Sequence, residues 1–115
     1  MPTARAKRLW ELYRGTEEDY ATVLAFQHGV CYITGRRPGK LALNWDHDHK
    51  TGLFRGLLSP WANKGLSFFD DDPAQLRRAA EYLENPPAVT ALGRQVFGLL
   101  GKARRKKVMI YGGTA

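Results

Sequence analysis

The chain has 115 residues and a formal net charge of +7, from 18 lysines and arginines against 11 aspartates and glutamates, so it offers one domain's worth of core and a surface suited to a polyanion such as nucleic acid. No apolar run reaches the eighteen or so residues a membrane helix needs, and the charged start Met1–Arg8 has no apolar stretch behind it, which excludes a secretory signal. A single cysteine, Cys31, excludes an internal disulfide and points to a reducing compartment, the cytoplasm.

Leu9, Trp10, Leu12 and Tyr13 predict a first helix broken at Gly15. Thr16 predicts the N-cap of a second, with Glu17, Glu18 and Asp19 suiting its positive end. Tyr20, Val23, Leu24 and Gln27 follow at helical spacing, and His28-Gly29 stops the segment. Residues 1–29 are therefore expected to be helical. From Val30 the pattern changes: Gly35, Pro38 and Gly39 mark a loop, and Leu41-Ala42-Leu43-Asn44-Trp45 alternates as a strand does. Lys50-Thr51-Gly52 reads as a turn and Leu53–Leu58 as a second strand. Ser59-Pro60 then opens a helix, Ser59 as N-cap and Pro60 at the first helical position, with Asn63 on its first turn.

Further on, Asp72-Pro73 starts another helix with Leu76, Ala79, Ala80 and Leu83 on one face, closed by Asn85-Pro86-Pro87. Val89, Leu92, Val96, Leu99 and Leu100 suggest a last amphipathic helix weakened by Gly93 and Gly98. The segment Lys102–Lys107 carries five cations in six residues. These elements make an α+β chain in one domain: helices over 1–29, a strand–turn–strand–helix core over 30–68, helices over 69–101 and a basic tail over 102–115.

The chemistry concentrates in Asp46-His47-Asp48-His49, the Gly52 turn, Arg55 and Asn63. Phosphodiester hydrolysis needs a deprotonated water, charge stabilisation at phosphorus and a stabilised leaving oxygen. A neutral imidazole supplies the first and a bound Mg²⁺ or Mn²⁺ the others. Asp46 and the Asn63 carbonyl are suitable oxygen ligands for such a hard ion, and His47 is the candidate base. Adjacent strand residues point to opposite faces, so Asp46 and His47 serve one centre only if the strand ends or twists between them. Plainer alternatives stand beside this. A lone Asp-His pair is usually a solvated loop element, Arg55 and Lys50 could simply be solvated, and His47 with His49 could form a nickel or zinc site, though a third ligand is not nearby in sequence. The tail is either a phosphate-contacting arm or a solubilising terminus.

The run Leu43–Leu58 with Asn63 following resembles the recombination endonuclease VII family of phages, a branch of the HNH, or ββα-metal, nucleases. Cys31-Tyr32-Ile33-Thr34-Gly35 and Asp72-Pro73 through Tyr82-Leu83 also look like family positions, so the likeness spans about Thr16 to Pro87. It implies a ββα-metal core flanked by helices, Asp46 and Asn63 as metal ligands, His47 as general base and His49 at the scissile phosphate. It further implies action on branched DNA such as Holliday junctions, often as intertwined dimers, in the host cytoplasm if the gene is a phage's. A homodimer is thus a further expectation, as are DNA contacts through Lys50, Arg55, Lys64, Arg104, Arg105, Lys106 and Lys107, with Arg5, Lys7, Arg8 and Arg14 on the N-terminal side.

The family commonly carries two Cys-x-x-Cys pairs on a structural zinc. Here they read Cys31-Tyr32-Ile33-Thr34 and Ser59-Pro60-Trp61-Ala62, so one thiolate of four remains. A closed zinc site needs four ligands, and no structural zinc is expected. Packing by Tyr32, Ile33, Trp45 and Trp61, together with the Ser59 cap, is expected to compensate. A general HNH nicking enzyme and a non-catalytic DNA-binding module on the same fold are the competing readings.

Overall fold

The structure, a computed structural model, describes residues 2–99, which fall in two compact units, 2–73 and 74–99. In the first unit, helix α1 (Ala4–Tyr13) begins where the Thr3 hydroxyl accepts from the Ala6 amide at 3.0 Å, and Arg14 ends it in a left-handed conformation. Helix α2 (Glu17–Phe26) opens on a reciprocal cap: Asp19 N donates to Thr16 Oγ1 and Thr16 N to Asp19 Oδ2, each at 3.0 Å. His28 and Gly29, both at positive φ, turn the chain out of it.

Strands β1 (Asn44–His47) and β2 (Phe54–Leu58) form a two-stranded antiparallel sheet. The first strand starts later than the Leu41 the alternation predicts. Asn44 pairs with Leu58, and beyond Leu58 the partner chain turns into a helix, so residues 41–43 have no strand to pair with. The Leu43 carbonyl instead accepts from the Tyr20 hydroxyl at 2.8 Å. In the connecting turn, Asp48 Oδ1 accepts from Lys50 N at 2.7 Å and Thr51 N at 3.2 Å, while Gly52 takes a φ of 78°. Helix α3 (Pro60–Phe68) follows with the expected Ser59 cap and Pro60 at its start, and packs on both strands. The strand–turn–strand–helix order is as read from the sequence, and the fold is α+β.

Leu43, Leu57, Leu58 and Cys31 form the buried centre, ringed by Tyr20, Val23, Leu24, Phe54, Ala62 and Leu66. Gln27, read from sequence as part of an apolar helix face, is a buried polar clamp. Its Oε1 accepts from Leu57 N, and its Nε2 donates to the carbonyls of Leu57 and Val30, all at 2.9 Å. It fastens the end of α2 to β2 as an extra strand would.

Helix α4 (Pro73–Glu84) leads into the second unit, and α5 (Pro87–Leu92) follows the Pro86-Pro87 break. The last helix is shorter than the apolar spacing to Leu100 suggests, because Gly93 takes a φ of 70° and stops it. The basic tail with Arg104, Arg105, Lys106 and Lys107 lies outside the described residues.

Candidate active site

Asp46 and His47 are consecutive residues at the end of β1, and the sheet breaks register between them. Asp46 faces Gly56 but His47 faces Phe54, so Arg55 is an extra residue on β2. A bulge bends its strand and re-aims a side chain, and here Arg55 reaches Asp46. Its Nε donates to Asp46 Oδ2 at 2.8 Å and its Nη2 to Asp46 Oδ1 at 2.9 Å, a bidentate fork. The Asp46 side chain is 6% exposed and that of Arg55 28%. Nη2 also reaches Asp71 Oδ2 at 3.5 Å, in the turn after α3. Hydrogen bonding to Asp46 raises the Arg55 pKa above its ordinary value, against the opposing effect of burial. Arg55, expected to face phosphate, is held by this carboxylate.

His47 lies under the N-terminal helix. The Tyr13 ring sits 5.0 Å from the imidazole and stacks at 6.0 Å on Trp45, which also meets Tyr20 and Phe54. Gly15 is required beneath this cluster, since a Cβ there would come within 2.6 Å of the Trp45 ring. His47 Nδ1 is buried without a hydrogen-bond partner among the described residues. The exposed His49 ring lies 5.4 Å from that of His47. His49, Asp48 and Lys50 line an open cavity of about 400 Å³ with Ser67, Asp70 and Asp71. A larger hollow of about 620 Å³, along α1 and the start of α2, contains none of these residues.

Asn63 is half-buried on α3, its backbone amide bonded to Ser59 O at 3.0 Å. Helix α3 packs on both strands, but the Asn63 side chain forms no hydrogen bond with Asp46 or either histidine. Lys50 and Lys64 are exposed. On the N-terminal side Arg5 pairs with Glu17 at 3.7 Å, and Arg14 lies over the Trp10 ring.

The four positions of the two incomplete cysteine pairs also meet. The buried Cys31 thiol accepts from Thr34 N at 3.5 Å and is hydrogen-bonded to the backbone and side chains of Thr34 and Ser59. Burial pushes its pKa up, but these bonds outweigh it and bring the thiol to about 7. Ser59 Oγ in turn accepts from Ala62 N at 3.3 Å. The expected aromatic packing does not form here: Tyr32, Ile33 and Trp61 are exposed, and Trp45 packs in the separate cluster under Tyr13.

The sequence profile of the recombination endonuclease VII family matches residues 6–85, which include β1, β2, α3, Asp46, His47, His49 and Asn63. The chain belongs to the recombination endonuclease VII family. Two phage proteins share its sequence closely: the Gene 59 protein of Mycobacterium phage L5 is 44% identical over 101 residues, and that of phage D29 is 43% identical over 100. The alignments cover 82% and 81% of this chain but 62% and 61% of those proteins, so the chain spans about three-fifths of the length of its curated relatives. No solved structure matches it. Among the described residues, no helix is long and apolar enough to cross a membrane.

Proposed function

We propose that this recombination endonuclease VII family member is a Mg²⁺- or Mn²⁺-dependent DNA endonuclease with an HNH-type ββα-metal core, acting on branched duplexes such as Holliday junctions. The observation that carries the reading is the end of β1. There the buried Asp46 carboxylate is followed directly by His47, whose ring lies 5.4 Å from that of His49, on a sheet against which α3, the helix that carries Asn63, packs.

The donor chemistry fits a hard cation. Asp46 offers carboxylate oxygens, each with a lone pair left by the Arg55 fork, and Asn63 a neutral carbonyl. Among the described residues no three His, Cys, Asp or Glu side chains form a metal cage, so substrate phosphate and water would complete the shell. A cation held there supplies Lewis-acid stabilisation to the phosphoryl oxygens and the leaving group. The protein's own parts follow from their positions. His47, packed beside the Tyr13 ring, accepts a proton from the attacking water through its imidazole. His49 faces the open cavity and can bond a phosphate oxygen there. Lys50 and Lys64 supply phosphate contacts, and Arg104, Arg105, Lys106 and Lys107 would extend them. Arg55 holds the buried Asp46 side chain in place through its two-bond fork.

No structural zinc is needed in this account. The thiol–hydroxyl contacts of Cys31, Thr34 and Ser59 tie the loop after α2 to the start of α3. Nicking of supercoiled plasmid tests the enzyme class. Cutting with Mg²⁺ or Mn²⁺ that stops with EDTA and falls at least 100-fold in His47→Ala is the expected result. DNA binding without cutting under any divalent ion would leave a binding module instead.

A further inference from the structure

Trp61 is 86% exposed, the most exposed large hydrophobic side chain among the described residues. It stands on the first turn of α3 and lines a groove of about 390 Å³ with Pro60, Arg36, Arg37 and Lys40. No carboxylate lines the groove, and among the described residues the three cations make no ion pair. An indole in open solvent has an uncompensated apolar face. Three free cations around it set the charge of whatever covers that face.

We propose that this groove binds unpaired nucleic acid, with Trp61 stacking on a base and Arg36, Arg37 and Lys40 holding the flanking phosphates. The pairing of an aromatic platform with a cationic track is what single strands need, because every base has a face to stack and none must be read by its edge. A fully paired duplex hides those faces and could use only the cations. Trp61 and Asn63 are two residues apart on a helix, about 200° around its axis, so the groove flanks α3 on the side away from Asn63. A strand that leaves the duplex near the cleaved bond could pass around α3, within a helix diameter of about 10 Å, and reach the indole. The inference rests on the nuclease reading and deepens it: selectivity for branched DNA would come from unpaired bases at the branch.

The test is fluorescence anisotropy with a labelled oligothymidylate and a labelled duplex of equal length, in EDTA, for the wild type, Trp61→Ala, Trp61→Phe and Arg36→Ala/Arg37→Ala/Lys40→Ala. Stacking is worth about 1–3 kcal/mol per base, so Trp61→Ala should weaken single-strand binding about 5- to 150-fold and duplex binding less than two-fold. Trp61→Phe should recover most of the loss. The triple variant should weaken both and flatten the single-strand salt slope by about 2. Trp61 is nearly all in solvent, so its removal should leave the melting temperature in place, and a melt of each variant checks this. Single-strand affinity within two-fold of wild type in Trp61→Ala overturns the groove and leaves the nuclease reading standing. A wild type that does not bind the oligothymidylate also overturns the groove, while the nuclease reading falls only if the plasmid-nicking assay shows no cutting.

Discussion

Replacing Arg55 with glutamine should cost far more than an ordinary surface substitution. The change removes the fork from a carboxylate whose side chain is 6% exposed. Removing one partner of a fully buried pair typically costs about 3–5 kcal/mol, because the remaining charge is stranded in a poor solvent. Arg55 is itself 28% exposed, so water can reach part of the vacated space, and glutamine keeps one donor. Both reduce the figure, to about 2–3 kcal/mol, or a fall in melting temperature of about 10–20 °C for a unit this size. Urea unfolding of the wild type, Arg55→Gln, Asp46→Asn and the double variant isolates the pair from other effects of the arginine. Without the Asp46 charge, Arg55→Gln should cost less than about 1 kcal/mol, giving a coupling of at least about 1 kcal/mol. A coupling under about 0.5 kcal/mol would refute the reasoning and return Arg55 to the solvated surface.

Other consequences are equally specific. Gln27→Leu should destabilise by about 2–4 kcal/mol in urea melts, since it strands the buried Leu57 N–H and the Val30 carbonyl; a loss below about 0.5 kcal/mol would mean water replaces the clamp. The Cys31 thiol should ionise at about 7, seen as thiolate absorbance on titration, and at higher pH in Thr34→Val. Its folded value lies below the ordinary 9.0, so this contribution to stability is complete above about 9 and is lost as pH falls through about 7; a midpoint at or above 9 contradicts the hydrogen-bond account. Thr34→Cys/Ser59→Cys/Ala62→Cys should bind one zinc per chain and melt higher with zinc than with a chelator, given how closely these positions meet around Cys31. Failure to take up zinc would show that the loop no longer has the geometry to close a tetrahedral site.

Much of the fold was legible because local chemistry and tertiary packing agree. Thr16 with Asp19, Ser59 with Pro60 and the Gly52 turn fix element ends by hydrogen bonds a few residues apart, and sequence spacing reports those directly. Asp46, His47, His49 and Asn63 stand out for the same reason, as an unusual cluster of donors over a short stretch. What sequence missed depends on register and distance. An unbroken hairpin would set Arg55 opposite His47, and only the bulge delivers it to Asp46. Tyr13 reaches His47 from a helix on the far side of α2 in sequence, and Gln27 is polar at a position the periodicity assigns to the core. Trp61 misled in the other direction: its place inside the lost second cysteine pair suggested packing where the metal would be, yet the N-terminal turn of α3 presents it to solvent.

The most direct test of the central claim is cleavage of a labelled four-way junction and a matched linear duplex, with Mg²⁺ or Mn²⁺, by the wild type and His47→Ala. The account predicts metal-dependent cutting that favours the junction at least ten-fold and disappears in the variant. Equal cutting of both substrates would contradict branch selectivity, and junction binding without cutting would contradict catalysis by the His47 site.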